Sequence, residues 1–231
     1  MRNVTLRASG HSIQKRQERK QHPVVGMPQG APERPGSHVK GAPISAFCYK
    51  GCMQRSMRII GLAGWSGSGK TTLITKVLPR LIARGQRVST LKHAHHGFDL
   101  DQPGKDSFMH RSAGATEVVI SSAKRFAVLH ELRDEPEWDL ADLLGKFASV
   151  DLVLVEGFKR DAFPKLEIHR AANGKPLIHP DDPHIVAIAS DTPLPQANVP
   201  VIDLDDIETI ADMLLRHAAP LQSAVAAMRG A

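Results

Sequence analysis

The chain has 231 residues and a formal charge of +6, yet residues 1–56 alone carry +8, from ten Lys/Arg against two Asp/Glu, and residues 57–231 carry −2. The basic character therefore belongs to the first quarter of the chain, and the remainder gives no global basis for binding nucleic acid. No apolar run reaches the roughly 18 residues that a membrane-crossing helix needs.

Residues 1–56 are rich in Gly, Pro, Gln, Arg and Lys and poor in aliphatic residues. They cannot bury enough apolar surface to offset the entropy of ordering, so a disordered basic tail is expected. Met57 or Met53 is the expected natural start, the preceding stretch being upstream sequence read as protein. Scarce acidic residues would also suit an organelle-targeting peptide, but the prolines and the lack of an amphipathic helix oppose that reading. Cys48 and Cys52 are the only cysteines, and a lone C-x-x-x-C without a second pair is a poor metal signal. One domain is expected over 57–219, with 220–231 as a C-terminal tail. It is cysteine-free, needs no disulfide and suits a reducing cytoplasm.

Arg58 to Ala63 is a short apolar run that reads as a strand. Thr71 to Ala83 follows with helical spacing, Leu73, Val77, Leu78, Leu81 and Ile82 falling on one face. Gly85 stops that helix. Arg87 to Leu91 reads as a second strand, and Lys92 to Gly104 as a polar loop. A short helix over Lys105 to Ala113 is broken by Gly114. Two β-rich runs, Thr116–Ser121 and Phe126–Leu132, flank a turn at Ser122 to Arg125. Asp139 to Phe147 is a helix capped by Asp139 or a neighbour. Asp151 to Val155 is an uninterrupted apolar strand, as parallel sheets have. Lys165 to Arg170 alternates apolar and polar and so reads as a half-exposed strand. Ile185–Ala189 and Val199–Leu204 are two more strands, and Asp205 to Ala218 is a helix with Ile207, Ile210, Met213 and Leu214 inward. Strands alternating with helices predict an α/β fold: a mostly parallel sheet flanked by helices, with a small β-rich extension.

Between the first strand and helix stands Gly64-Trp65-Ser66-Gly67-Ser68-Gly69-Lys70-Thr71-Thr72, which fits G-x-x-x-x-G-K-[ST]. Such a loop wraps phosphate oxygens in backbone N–H groups, and the helix behind it points its positive end at them. Its lysine, Lys70, reaches the outer phosphates, and the Thr71 hydroxyl ligates Mg²⁺. Strand–loop–helix is the context the motif requires. Mg²⁺ needs a further carboxylate, and Glu156 is the candidate: it closes the buried strand, at the carboxyl edge where open parallel sheets bind ligands. Asp151 lies at the opposite edge and reads as structural. The loop from Lys92 also leaves the carboxyl edge. Its cations suit phosphates, and Asp99 is a further candidate for the metal. His93, His95 and His96 are too closely spaced on a loop for all three to reach one tetrahedral ion, so phosphate or partner contact is preferred to zinc. The guanine-reading N/T-K-x-D motif is absent. Ser190-Asp191, at the end of a late strand, is a weak substitute, and an Asx turn before Pro193 explains Asp191 equally well.

Lys-His-Ala-His-His (92–96), Gly-Lys-Asp-Ser (104–107), Arg-x-x-Gly-Ala (111–115), Val-Glu-Gly-Phe-Lys (155–159) and Pro-Lys-Leu-Glu (164–167) follow the phosphate loop in order. With that order the chain resembles the MobB family, the molybdopterin-guanine dinucleotide biosynthesis adapter proteins, from Arg58 to roughly Ala218. The resemblance implies a homodimeric, cytoplasmic GTP-binding protein with weak hydrolysis. It would assist the guanylyltransferase that joins GMP to molybdenum-bound molybdopterin, and would contact other cofactor-biosynthesis proteins. It places residues 64–72 on the phosphates, Thr71 on Mg²⁺ and Glu156 near the metal; the guanine preference comes from the resemblance alone. Slow turnover fits a chain with no evident arginine finger, since such GTPases run on the order of 10⁻⁴ per second; Arg111 and Arg160 are the candidates, although surface solvation or partner contact explains each better. The alternatives are an ATP-dependent small-molecule kinase or ligase on the same fold and, less directly, a metal-delivering GTPase using the histidine loop.

Overall fold

A computed structural model describes residues 57–94 and 97–230. The expectations about the basic tail, Met53, Cys48, Cys52, His95 and His96 lie outside those residues. β1 (Arg58–Ala63) is followed by α1 (Lys70–Ala83), β2 (Val88–Lys92), α2 (Asp106–Ser112), β3 (Glu117–Ser121), β4 (Phe126–His130) and α3 (Leu140–Leu144). Then come β5 (Leu152–Glu156), β6 (Lys165–His169), β7 (Ile185–Ser190), β8 (Val201–Asp203), α4 (Ile207–His217), β9 (Ala219–Pro220) and α5 (Leu221–Gly230).

The main sheet runs β2-β5-β1-β6-β7-β8, all parallel, with β9 pairing antiparallel to β1. Strand alternation splits the apolar residues between two layers. Leu152 and Leu154 of β5 join Ile60 and Leu62 of β1 under α1 and α4, whose Leu73, Val77, Leu81, Ile210 and Leu214 complete that core. Val153, Val155 and Ile59 face the other way, against Leu140 and Leu144 of α3 and Ala224 of α5. Both faces of the central strands are therefore dry, as their unbroken apolar sequence predicts.

Three expectations need correction. β6 is buried along almost its whole length, not half-exposed. Its polar positions have partners inside: Lys165 donates to Asp182 Oδ2 at 2.9 Å, and Glu167 accepts from the backbone N–H of Ile178 and His179 at 2.7 and 2.8 Å. Ile82 is exposed, although its spacing put it with the core face of α1. The residues set apart as a C-terminal tail form α5, which packs on the second core. Asp139 caps α3 as expected, accepting from Asp142 N–H, but the helix is short and ends at Gly145.

β3 and β4 form a separate antiparallel hairpin, the expected β-rich extension. His130 closes its base, with Nδ1 2.8 Å from Glu117, Nε2 3.1 Å from Glu135 and the Trp138 ring 4.9 Å away. The Glu117 and Glu135 hydrogen bonds raise the imidazole pKa above its ordinary value. A raised folded-state pKa contributes stability that is fully present below about pH 6.5 and is lost as pH rises through the folded value. The difference in melting temperature between the native chain and His130→Gln is therefore expected to be largest in mild acid and to shrink above neutrality. A difference that is flat between pH 5.5 and 8.5 would contradict this.

Candidate functional site

Because β1, β2, β5, β6 and β7 are parallel, their carboxyl ends share one edge. Register places Glu156 beside both Leu62, near the end of β1, and Lys92, the last residue of β2. The glycine loop leaves β1 at this edge. Gly64 has φ +150, and a Cβ there would lie 2.6 Å from Ser68 Oγ and 2.7 Å from the Ile168 carbonyl oxygen, so only glycine fits. Ser68 N donates to Trp65 O at 3.1 Å, closing the loop. Gly69, at φ +92, precedes α1; no side chain caps that helix and no acidic residue stands in its first turn. Its first N–H groups face outward without a built-in anion.

Lys70 Nζ donates to the carbonyl oxygens of Gly64 and Trp65, each at 3.0 Å. Burial lowers its pKa from the ordinary lysine value; Glu156 opposes that shift, and Lys159 and Lys92 add to it. The three lysines and the glutamate thus share one electrostatic neighbourhood. Lys159 lies over the Trp65 ring at 5.0 Å, and the Trp65 indole donates to Pro176 O at 2.8 Å. Where the chain turns after Glu156, Gly157 passes so close to His93 that a Cβ would meet the His93 Cβ at 2.8 Å.

This donor set fits a nucleotide polyphosphate. Ser68 Oγ is buried within the loop and has no hydrogen-bond partner among the described residues, beside an uncapped helix N-terminus and a partly desolvated ammonium. The Thr71 hydroxyl and the Glu156 carboxylate are the hard oxygen ligands that Mg²⁺ takes, and Mg²⁺ bound there would neutralise phosphate charge. Ser66, Gly67 and Thr72 complete the loop and the first turn.

The other candidates are placed differently. Asp99 holds Arg111 Nη2 with both oxygens, at 2.8 and 3.0 Å; no hydrogen bond or ion pair among the described residues links it to Lys70, Thr71 or Glu156. Arg111 also binds Glu131 and stands 3.5 Å from Asp101 Oδ2. Held by three carboxylates, it ties the 97–107 loop to α2 and the hairpin and is not free to serve as an arginine finger. His93 Nε2 lies 2.8 Å from Glu137. Among the described residues no cluster of three His, Cys, Asp or Glu could hold a metal ion. Asp151 binds the Arg87 backbone and guanidinium, a structural role. Ser190 Oγ accepts from Thr192 N–H at 3.2 Å, and Asp191 accepts from Ala171 N–H at 3.0 Å. An open cavity of about 620 Å³ between the 100–107 loop and β3 includes no residue of the glycine loop.

Sequence reasoning missed the segment after β6. It lies against the glycine loop through Arg170, whose Nε is 3.1 Å from where a Gly69 Cβ would stand, and through Asn173, near Gly67 and Ser66. The available signal was the Lys165/Glu167 pair in a strand that borders β1.

The parallel sheet, glycine loop and strand order define a P-loop α/β protein of the NTPase type. A family model described as molybdopterin guanine dinucleotide synthesis protein B matches residues 59–191. A molybdopterin-guanine dinucleotide biosynthesis adapter protein of Escherichia coli is 42% identical over 160 residues, 68% of this chain and 91% of its own. Its counterpart in Haemophilus influenzae is 38% identical over 162 residues, 70% and 90%. Among solved structures, molybdopterin-guanine biosynthesis protein B aligns with TM-score 0.55 at 29% identity, covering 68% of this chain and 98% of that one. Bacillus subtilis MobB aligns with TM-score 0.55 at 26% identity, covering 70% and 98%. The chain belongs to the MobB family.

Proposed function

We propose that this chain is a GTP-binding adapter in molybdopterin guanine dinucleotide biosynthesis, with weak intrinsic GTPase activity, working in the cytoplasm beside a guanylyltransferase and other cofactor-biosynthesis proteins. The observation that carries the reading is the loop itself: an unpartnered buried Ser68 hydroxyl, an uncapped helix N-terminus and the Lys70 ammonium converge at the sheet edge that also bears Glu156. Residues 64–72 bind the phosphates, Lys70 reaches the outermost, Thr71 and Glu156 hold Mg²⁺, and Asp99 stays with Arg111 unless the loop moves. Ser190 and Asp191 stand two strands from β1 on the same edge. Slow hydrolysis agrees with Arg111 being locked in ion pairs.

A homodimer is part of the proposal. Val119, Phe126 and Val128 share one face of the hairpin and are exposed, a contiguous apolar surface of the kind that marks protein contact; a second copy of the same hairpin is its occupant. No helix among the described residues is long and apolar enough to cross a membrane.

The test is a thermal-shift titration of the full chain with GTP and ATP, each with Mg²⁺. A ligand at about 100 times its Kd adds about 2.7 kcal/mol, and a domain of this size gains roughly 2–4 °C per kcal/mol. GTP is expected to give the larger rise. A larger rise with ATP would replace this reading with the kinase or ligase.

A further inference from the structure

We propose that Arg170 is a nucleotide-binding residue whose guanidinium contacts the inner phosphates, and that Asp191 is the positioning residue that aims it. The proposal rests on the reading of the glycine loop as a nucleotide site and deepens it. β6 borders β1 directly, so the residue that follows its last member, His169, emerges beside the glycine loop. Arg170 Nε and Nη2 lie 3.1 and 3.5 Å from where a Cβ on Gly69 would stand. The guanidinium therefore rests on the residue that caps α1. In a P-loop the backbone N–H groups cradle the α- and β-phosphates, while the lysine side chain reaches the outer ones. A cation on Gly69 thus stands at the inner end, and the outer end is served by Lys70.

Asp191 does two jobs with one carboxylate. Its Oδ1 accepts from Ala171 N–H at 3.0 Å, fixing the backbone next to Arg170, and its Oδ2 stands 3.7 Å from Arg170 Nη1. At 3.7 Å the pair is an ion pair without a hydrogen bond, and 37% of the Arg170 side chain is exposed. The guanidinium is aimed but not consumed, with its N–H fork available to a phosphate, whose oxygens match that fork in geometry. The backbone around it is held from both sides. Glu167 and Lys165 anchor residues 178–182 from within β6, and Trp65 and the Ser66 carbonyl hold Pro176 and Asn173 against the loop. Asp191 thereby acts on the nucleotide through Arg170 rather than by reading the base.

The test is isothermal titration of the full chain with GTP and with GDP, each with Mg²⁺. Arg170→Ala is expected to weaken both nucleotides by about tenfold to a hundredfold, and to a similar degree, since the α- and β-phosphates are common to them. Arg170→Lys is expected to recover part of the loss. Asp191→Asn, which keeps an acceptor for Ala171 N–H, is expected to weaken both by a smaller factor and to add nothing when Arg170 is already alanine. Unchanged affinity in Arg170→Ala overturns the proposal, as does a loss confined to GTP, which would place the guanidinium on the outer phosphate. A loss that tracks a lowered melting temperature and is not relieved by lysine also overturns it. A native chain that binds neither nucleotide fails the underlying reading itself, with Lys70→Ala as the reference for no binding.

Discussion

Replacing Lys70 with alanine is expected to weaken GTP binding by at least about a hundredfold while leaving the chain folded. The ammonium is partly buried and, among the described residues, donates to the two loop carbonyls of Gly64 and Trp65. Burial disfavours its charge, and Lys159 and Lys92 add to that cost. Phosphate oxygens would add counter-charge beyond that of Glu156, and charge-assisted hydrogen bonds contribute about 1.5–3 kcal/mol each. The core-facing residues of α1, Leu73, Val77 and Leu81, are untouched by the change. Titration calorimetry gives the affinity and a circular-dichroism melt gives the fold; an affinity within fivefold of the native value would contradict the assignment.

Glu167→Ala is the substitution expected to cost most stability, about 2–5 kcal/mol by urea denaturation. The carboxylate is 1% exposed and satisfies the backbone N–H groups of Ile178 and His179. Removing it leaves two donors unpaired at about 1–3 kcal/mol each. Glu167→Gln is expected to cost less, since its amide oxygen keeps one of the two bonds. Because Glu167 anchors the segment that carries Arg170 and Asn173, Glu167→Ala is also expected to weaken nucleotide binding, although its carboxylate bonds residues 178 and 179 rather than the glycine loop. A loss below about 1 kcal/mol would show that the segment is held from elsewhere.

The contrast between Lys70 and Glu167 explains what the sequence made legible. The glycine loop is a local object: strand, loop and helix are contiguous in the chain, so the motif and its context can be read together. The position of Glu156 was legible for a related reason, since an apolar run ending in Glu-Gly marks the carboxyl end of a buried strand. β6 misled because polar residues at alternate positions ordinarily mean a wet face. Here Lys165 and Glu167 find partners in a later turn, at Asp182 and at residues 178 and 179. Arg170 was invisible because its neighbour Gly69 is adjacent only through the pairing of β1 with β6. Asp99 and Arg111 illustrate the same limit: each had a chemically sensible role alone, and their ion pair gives both a different one.

The pairing of β1 has a consequence for the chain as it is synthesised. β1 precedes the glycine loop and is the first strand of the described residues to leave the ribosome. Its partners come late, Arg58 pairing with Leu152 and Gly61 with Lys165. At about 5–20 residues per second, the roughly 100 residues between them take about 5 to 20 seconds to make. Throughout that interval Ile59 and Ile60, fully enclosed in the finished fold, have no strand beside them, and the phosphate loop exists as sequence without a cradle. A nascent chain stopped before β5 would carry the whole motif but neither strand that flanks it nor Glu156 at its edge, leaving a bare apolar strand for chaperones to shield.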